Sequence, residues 1–275
     1  MKERIKIGAV AWGLPGGGIY AARVAHAAGL HGIQLELGSY EESYPLSEKE
    51  VIKGYIEDRE RYGIEYPAIV LNDVMTHEFI HGRNTENGKI ACDQIELAVE
   101  TARALSIDRI MIPNFLNNLI TEEKHIENTR KVLDFACQHA KKENILILTE
   151  NALGYQEQIK LIQDINADNL KIHFDTQNFK FNFDMDQCEQ LMGLFPYMDS
   201  VLHTKDGISK PGEYLLGLGN TDFFGQMDLL KRQQFEGFIV IENYYNLLPL
   251  RNHTEKGDQM DLLLKDVETI RSCFR

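Results

Sequence analysis

The stretch I-L-I-L-T-E at residues 145–150 decides the fold, because three later stretches repeat its design. They are L-K-I-H-F-D at 170–175, S-V-L-H-T at 200–204 and F-I-V-I-E at 238–242. Each is a short, nearly unbroken apolar run with a carboxylate or an imidazole at or near its end. Continuous Ile, Val and Leu over so few residues is the pattern of a parallel strand covered on both faces. Four more runs precede them: I-K-I-G-A-V (5–10), G-I-Q-L-E-L (32–37), E-Y-P-A-I-V-L (65–71) and R-I-M-I-P (109–113). The proline inside the third leaves the start of that strand open.

Amphipathic stretches separate the runs, at 19–28, 47–62, 88–105, 121–142, 155–165, 186–195, 223–234 and 256–272. Ser47 with Glu50 is spaced as a capping box. Gly29 and Gly63 stand where helices should stop. Eight strands alternating with eight helices in 275 residues give roughly 34 residues per unit. The expectation is an α/β fold of the TIM (β/α)8 barrel type, a single domain over residues 1–275, since closure leaves no sheet edge. An open doubly wound sheet is the alternative. No linker or low-complexity tract marks a second domain.

The chain carries 29 Lys and Arg against 42 Asp and Glu, a net charge of −13. That balance speaks against nucleic acid as a partner, since phosphate neutralisation needs clustered cations. No apolar stretch approaches the ~18 residues of a membrane helix, and the opening M-K-E-R reads as the approach to the first strand. The four cysteines (Cys92, Cys137, Cys188, Cys273) are widely spaced and fall in helical stretches. Free thiols point to a reducing, cytoplasmic location.

In a barrel the C-terminal ends of the strands converge on one face, where chemistry is built. Here the fifth run ends in Glu150, the sixth in Asp175, the seventh carries His203 and the eighth ends in Glu242. A single Glu or Asp at a strand end is ordinarily a helix cap or a solvated loop residue. Such groups at four successive ends form a set. By the two-residue period of a strand, Glu150 shares a face with Leu146 and Leu148, and Glu242 with Val240, so both carboxylates can crown the interior. Gathered carboxylates repel unless a cation sits among them. Three carboxylates and one imidazole suit Mn²⁺ or Mg²⁺, with Co²⁺ or Zn²⁺ as alternatives.

These residues resemble those of the xylose isomerase-like barrels, a family of sugar phosphate isomerases and epimerases that includes ketose 3-epimerases, hydroxypyruvate isomerases and inosose dehydratases. The resemblance rests on Glu150, the D-x-x-N of Asp175–Asn178, the H-x-K-D of His203–Asp206, Glu242, and G-L-G-N-T-D-F at 217–223. It implies that Glu150, Asp175, His203 and Glu242 are the ligands of one divalent metal. Two departures stand out. Asn178 occupies the position of a second His in many of the family's epimerases. Where they place an Arg after the metal His, this chain offers Lys205 or Lys210. The H-x-K-D form is nearer the dehydratase-like branches.

The chemistry implied is a metal-dependent isomerase or epimerase acting on a small sugar or polyol-derived carbonyl compound through an enediolate. Glu150 and Glu242 serve as ligands and as the catalytic acid/base pair. The alternative on the same barrel is a dehydratase of an inosose- or dehydroshikimate-type substrate. His173, Asn178, Lys205, Trp12 and His81 are the candidate substrate contacts, and Tyr244 and Tyr245 stand where they could wall a sugar pocket. A homo-oligomer is compatible with the composition.

Two motifs and one related enzyme class point elsewhere. Gly16-Gly17-Gly18-Ile19-Tyr20-Ala21 fits the dinucleotide fingerprint of an NAD-dependent oxidoreductase, with Glu36 some way beyond, but W-G-L-P separates it from the strand. His77-Glu78-Phe79-Ile80-His81 fits H-E-x-x-H, yet its flanks read as loop and not as the long helix a zinc protease needs. DNA-repair endonucleases share the barrel but use three metals and a basic face.

Overall fold

The computed structural model describes residues 4–16, 18–245, 250 and 258–275. Its strands are β1 (Ile5–Val10), β2 (Gly32–Glu36), β3 (Ile69–Val70), β4 (Arg109–Pro113), β5 (Leu146–Glu150), β6 (Leu170–Ile172), β7 (Val201–Thr204) and β8 (Gly237–Ile241). The helices are α1 (Ala21–Ala27), α2 (Lys49–Tyr62), α3 (Glu86–Leu105), α4 (Glu123–Lys141), α5 (Tyr155–Ile165), α6 (Asn178–Phe183), α7 (Gln187–Leu194), α8 (Phe223–Arg232) and α9 (Gln259–Phe274). Every ladder pairs parallel strands, which gives the expected (β/α)8 alternation.

The chain divides into two compact units. The first comprises Met1–Gln34, Asp58–Tyr66 and Phe174–Arg275, and the second Leu35–Glu57 and Pro67–His173. Within the first, the strand order is β2-β1-β8-β7, with Val10 opposite Gln34 and His203 opposite Val240. The chain just past β6 extends this ladder: the His203 N–H donates to Phe174 O, and the Thr176 N–H to His203 O. Val10, Val201, Phe238 and Val240 pack together, with Trp12 against them. Within the second, the order is β2-β3-β4-β5-β6, where Ile69, Ile110, Ile112 and Ile147 are fully buried.

Helix α3 shows how local sequence sets an element. Thr85 caps it by accepting the Gly88 N–H at 3.0 Å, and Ser106 ends it in the left-handed conformation. Ala91, Ile95, Ala98, Ala102 and Leu105, three to four residues apart, form its buried stripe. All four cysteines are free and lie on helices, as expected.

Other expectations need correction. The capping box at Ser47 does not form. Pro45 nucleates a 3-10 turn over Pro45–Ser47, so Ser47 lies inside the turn and its hydroxyl donates to Tyr44 O at 2.8 Å. The third strand shrinks to Ile69–Val70, because Pro67 has no N–H to continue the ladder and Glu65 makes only an isolated bridge to Gly32. The short α6 sits directly after Asp175 and has no periodic signal in the sequence. The expected start of the last helix, at 256, lies outside the described residues. Among the described residues no helix is long and apolar enough to cross a membrane.

Gly32 lets β2 approach its neighbours. A Cβ there would stand 2.6 Å from Glu65 O and 2.9 Å from the Phe238 ring. The Gly32→Ala variant should therefore lose about 1–3 kcal/mol, because backbone has to shift. A urea unfolding midpoint equal to wild type would contradict this close approach.

Candidate metal centre and active site

The strand period places His203 above Val201 and Glu242 above Val240, over the apolar cluster that also holds Trp12. Asp175, His203 and Glu242 each offer a ligand atom within 4.8 Å of one another. His203 and Asp175 are buried, and the Glu242 side chain is 12% exposed.

The two oxygens of Asp175 have separate duties. Oδ1 accepts the backbone N–H groups of Gln177 at 2.8 Å and Asn178 at 2.7 Å, which starts α6. Oδ2 faces the Lys205 ammonium at 3.1 Å. The same ammonium donates to Glu242 Oε2 at 2.5 Å. Lys205 is itself 5% exposed, so a buried cation stands between the two carboxylates. Burial alone would raise the Glu242 carboxyl. The Lys205 charge and then the His203 ring outweigh it and hold the group well below the usual carboxylate range.

Gln34 completes the group. Its side-chain amide lies 2.5 Å from His203 Nε2, within hydrogen-bond reach, and holds the ring in place. The other ring nitrogen, Nδ1, lies 3.3 Å from Glu242 Oε2. Nothing in the chain's local pattern marks Gln34, a neutral amide 169 residues from its partner.

In the second unit, Glu150 ends β5 and is 4% exposed; His173 is 2% exposed. The two have ligand atoms within 4.8 Å of each other, and the His173 N–H donates to Thr149 O. His81 is exposed, meets the His125 ring edge-on at 5.4 Å, and lines a cleft with Arg83, Lys89, Asn128 and Lys131. Asn178 is buried at the start of α6, and Trp12 is half-buried just past β1.

Several motif residues turn out to build the surroundings. Asp206, the last member of H-x-K-D, accepts four bonds at 2.9 Å: from the N–H groups of Gly207, Gly217 and Gly219 and from the Thr221 hydroxyl. A Cβ at Gly219 would lie 2.1 Å from its Oδ1, which is why the G-L-G-N-T run needs glycine there. Tyr245 does not wall a pocket. It is 1% exposed and its hydroxyl donates to Asp266 Oδ2 at 2.7 Å. Asn243 donates to the same oxygen at 2.8 Å, and the Leu216 N–H to Oδ1 at 2.8 Å. Asp266, on α9, thereby ties both the segment after Glu242 and the glycine-rich loop.

The two competing motifs resolve as loops. A 3-10 turn at Ala11–Gly13 stands between β1 and Gly16, so the tight strand-to-helix turn of a dinucleotide site is absent from that segment; Gly17 lies outside the described residues. His77–His81 is not helical. His77 Nδ1 pairs with Asp73 Oδ2 at 2.9 Å, so the two histidines do not form a zincin face.

Eight parallel strands with interleaved helices and polar groups at the strand ends define a barrel of enzyme type. Residues 22–272 match the xylose isomerase-like TIM barrel family, and the chain belongs to it. It is 24% identical over 218 residues to 2-epi-5-epi-valiolone 7-phosphate 2-epimerase of Actinoplanes sp., covering 78% of this chain and 77% of that protein. Among solved structures it is similar to D-psicose 3-epimerase with D-tagatose from Clostridium cellulolyticum H10: TM-score 0.78, 13% identity, 98% of this chain and 99% of that one. It is also similar to a xylose isomerase-like TIM barrel protein from Mycobacterium smegmatis in complex with magnesium: TM-score 0.70, 14% identity, 98% and 96% covered.

Burial raises the Asp266 carboxyl from the ordinary 3.8 to about 6, with Asp206 adding to the rise and the bonds from Tyr245, Asn243 and Leu216 opposing it. A raised carboxyl favours the folded state below pH 3.8 and loses that contribution as pH climbs through about 6. The loss is at most about 3 kcal/mol. Asp266→Asn should flatten the fall in urea stability between pH 4 and pH 7. An unchanged slope would show that the group does not titrate there.

Proposed function

We propose that this protein is a divalent-metal-dependent epimerase or isomerase of a small sugar or sugar-like carbonyl compound. The observation that carries the reading is the convergence of Asp175, His203 and Glu242, each with a ligand atom within 4.8 Å of the others. Two carboxylates and an imidazole form a mostly hard donor set that fits Mn²⁺ or Mg²⁺. Glu150 is the fourth proposed ligand, on the strength of its place at the end of β5 and of the family pattern.

When bound, such an ion supplies Lewis acidity toward a substrate carbonyl and its neighbouring hydroxyl. The chain's own groups move the proton. Glu242 is the proposed carboxylate that takes a proton from the carbon beside the carbonyl. Glu150 is its partner. Return of the proton to the opposite face gives an epimer, and return to the adjacent carbon gives an isomer. Gln34 holds the His203 ring in orientation. His173, Asn178, Trp12 and His81 are proposed substrate contacts, as is Lys205.

The epimerase reading is supported by the epimerases among the relatives. A second reading, dehydration of an inosose-type substrate, is supported by the H-x-K-D form of His203–Asp206, which resembles the dehydratase-like branches of the family. The four free thiols support a cytoplasmic site of action, and the net charge of −13 supports a small-molecule partner over nucleic acid.

Purified protein should carry about one divalent ion per chain by elemental analysis, and Asp175→Asn and Glu242→Gln should lose it. Incubation with a panel of ketoses and inososes in deuterated water should place deuterium at the carbon beside the carbonyl. Release of water and a new enone absorbance would favour the dehydratase. Full metal occupancy in both variants would sink the ligand assignment.

A further inference from the structure

We propose that Lys205 is a tethered counter-cation which holds the centre in its metal-free form and is displaced when the divalent ion binds. The inference rests on the metal reading above and adds to it an exchange of one cation for another within a single site.

The ammonium lies 3.1 Å from Asp175 Oδ2 and 2.5 Å from Glu242 Oε2. These oxygens belong to two of the three residues whose ligand atoms converge within 4.8 Å. A divalent ion needs oxygens at roughly 2.0–2.6 Å. An ion on the same two oxygens would therefore stand within about 4 Å of the ammonium, where like charges repel strongly at low dielectric. Both cannot hold these oxygens at once without cost. One carboxylate cannot simply turn away, because Asp175 Oδ1 is fixed by the N–H groups of Gln177 and Asn178. The Lys205 backbone is pinned as well: its N–H donates to Thr176 Oγ1 at 3.0 Å, and its carbonyl accepts from that hydroxyl at 2.8 Å. The part of the residue that the backbone bonds leave unpinned is its four-carbon stem, a side chain with ample rotamers. The buried carboxylates thus meet a cation in either state. Without metal the lysine neutralises them; with metal the lysine retreats and its charge is released from the carboxylates.

The test uses Lys205→Met, similar in length and neutral, beside Lys205→Arg, which keeps the charge. Each is stripped with a chelator, melted, and titrated with Mn²⁺ by calorimetry. Stripped Lys205→Met should melt about 5 °C or more below stripped wild type, because its carboxylates are left without a counter-ion. It should bind Mn²⁺ about tenfold or more tightly than wild type, because no tethered charge competes. Lys205→Arg should bind no more tightly than wild type. If wild type binds Mn²⁺ and Lys205→Met binds no more tightly, or its stripped melting point is unchanged, the exchange is overturned while the metal reading stands. If neither protein binds the ion at any concentration, the metal reading falls and the exchange falls with it.

Discussion

Acidic side chains from separate strands are brought into one buried place, where their mutual repulsion and loss of hydration have to be answered. The answer on view is a chain of compensations. Lys205 lies between Asp175 and Glu242, backbone N–H groups take up the other oxygen of Asp175, and Gln34 occupies the far nitrogen of His203. Each compensation recruits a different element. The start of α6, the register of β7 against the chain past β6, and the pairing of β2 with β1 are all conditions for keeping those charges apart from water yet satisfied.

Relatives of this fold act on phosphorylated and unphosphorylated sugars, so the barrel itself does not choose a substrate. Choice resides in what surrounds the strand ends. Here that surround is built from the loop between β7 and α8, wound on the Asp206 carboxylate, and from the segment after β8, tied to α9. Of the two residues singled out by the sequence resemblance, Asn178 gives its backbone N–H to Asp175 at the start of α6, and Lys205 sets its ammonium between the carboxylates.

Strand ends were the legible part. The two-residue period of a β-strand is local, so Val240 predicts the side on which Glu242 lies, and Val201 does the same for His203. What lies between distant strands has no local signature. Gln34 reads as one polar position in an apolar run until β2 is paired with β1 and His203 is seen to reach it. Lys205 is legible as a strand-end lysine, but its position between two carboxylates is a tertiary fact. Tyr245 and Asp266 misled or were silent for the same reason, since a buried tyrosine next to a strand end that carries a carboxylate looks like a pocket wall until its hydroxyl partner is known. The capping box at Ser47 failed because a proline two residues earlier imposed a competing turn.

The bond set around Asp266 makes the tail of the molecule a working part of its mouth. A protease that nicked the chain ahead of α9 would leave every proposed metal ligand in place and still untie Asn243, Tyr245 and Leu216 from their common anchor. A change on α9 would thus be felt directly in the segment that follows Glu242.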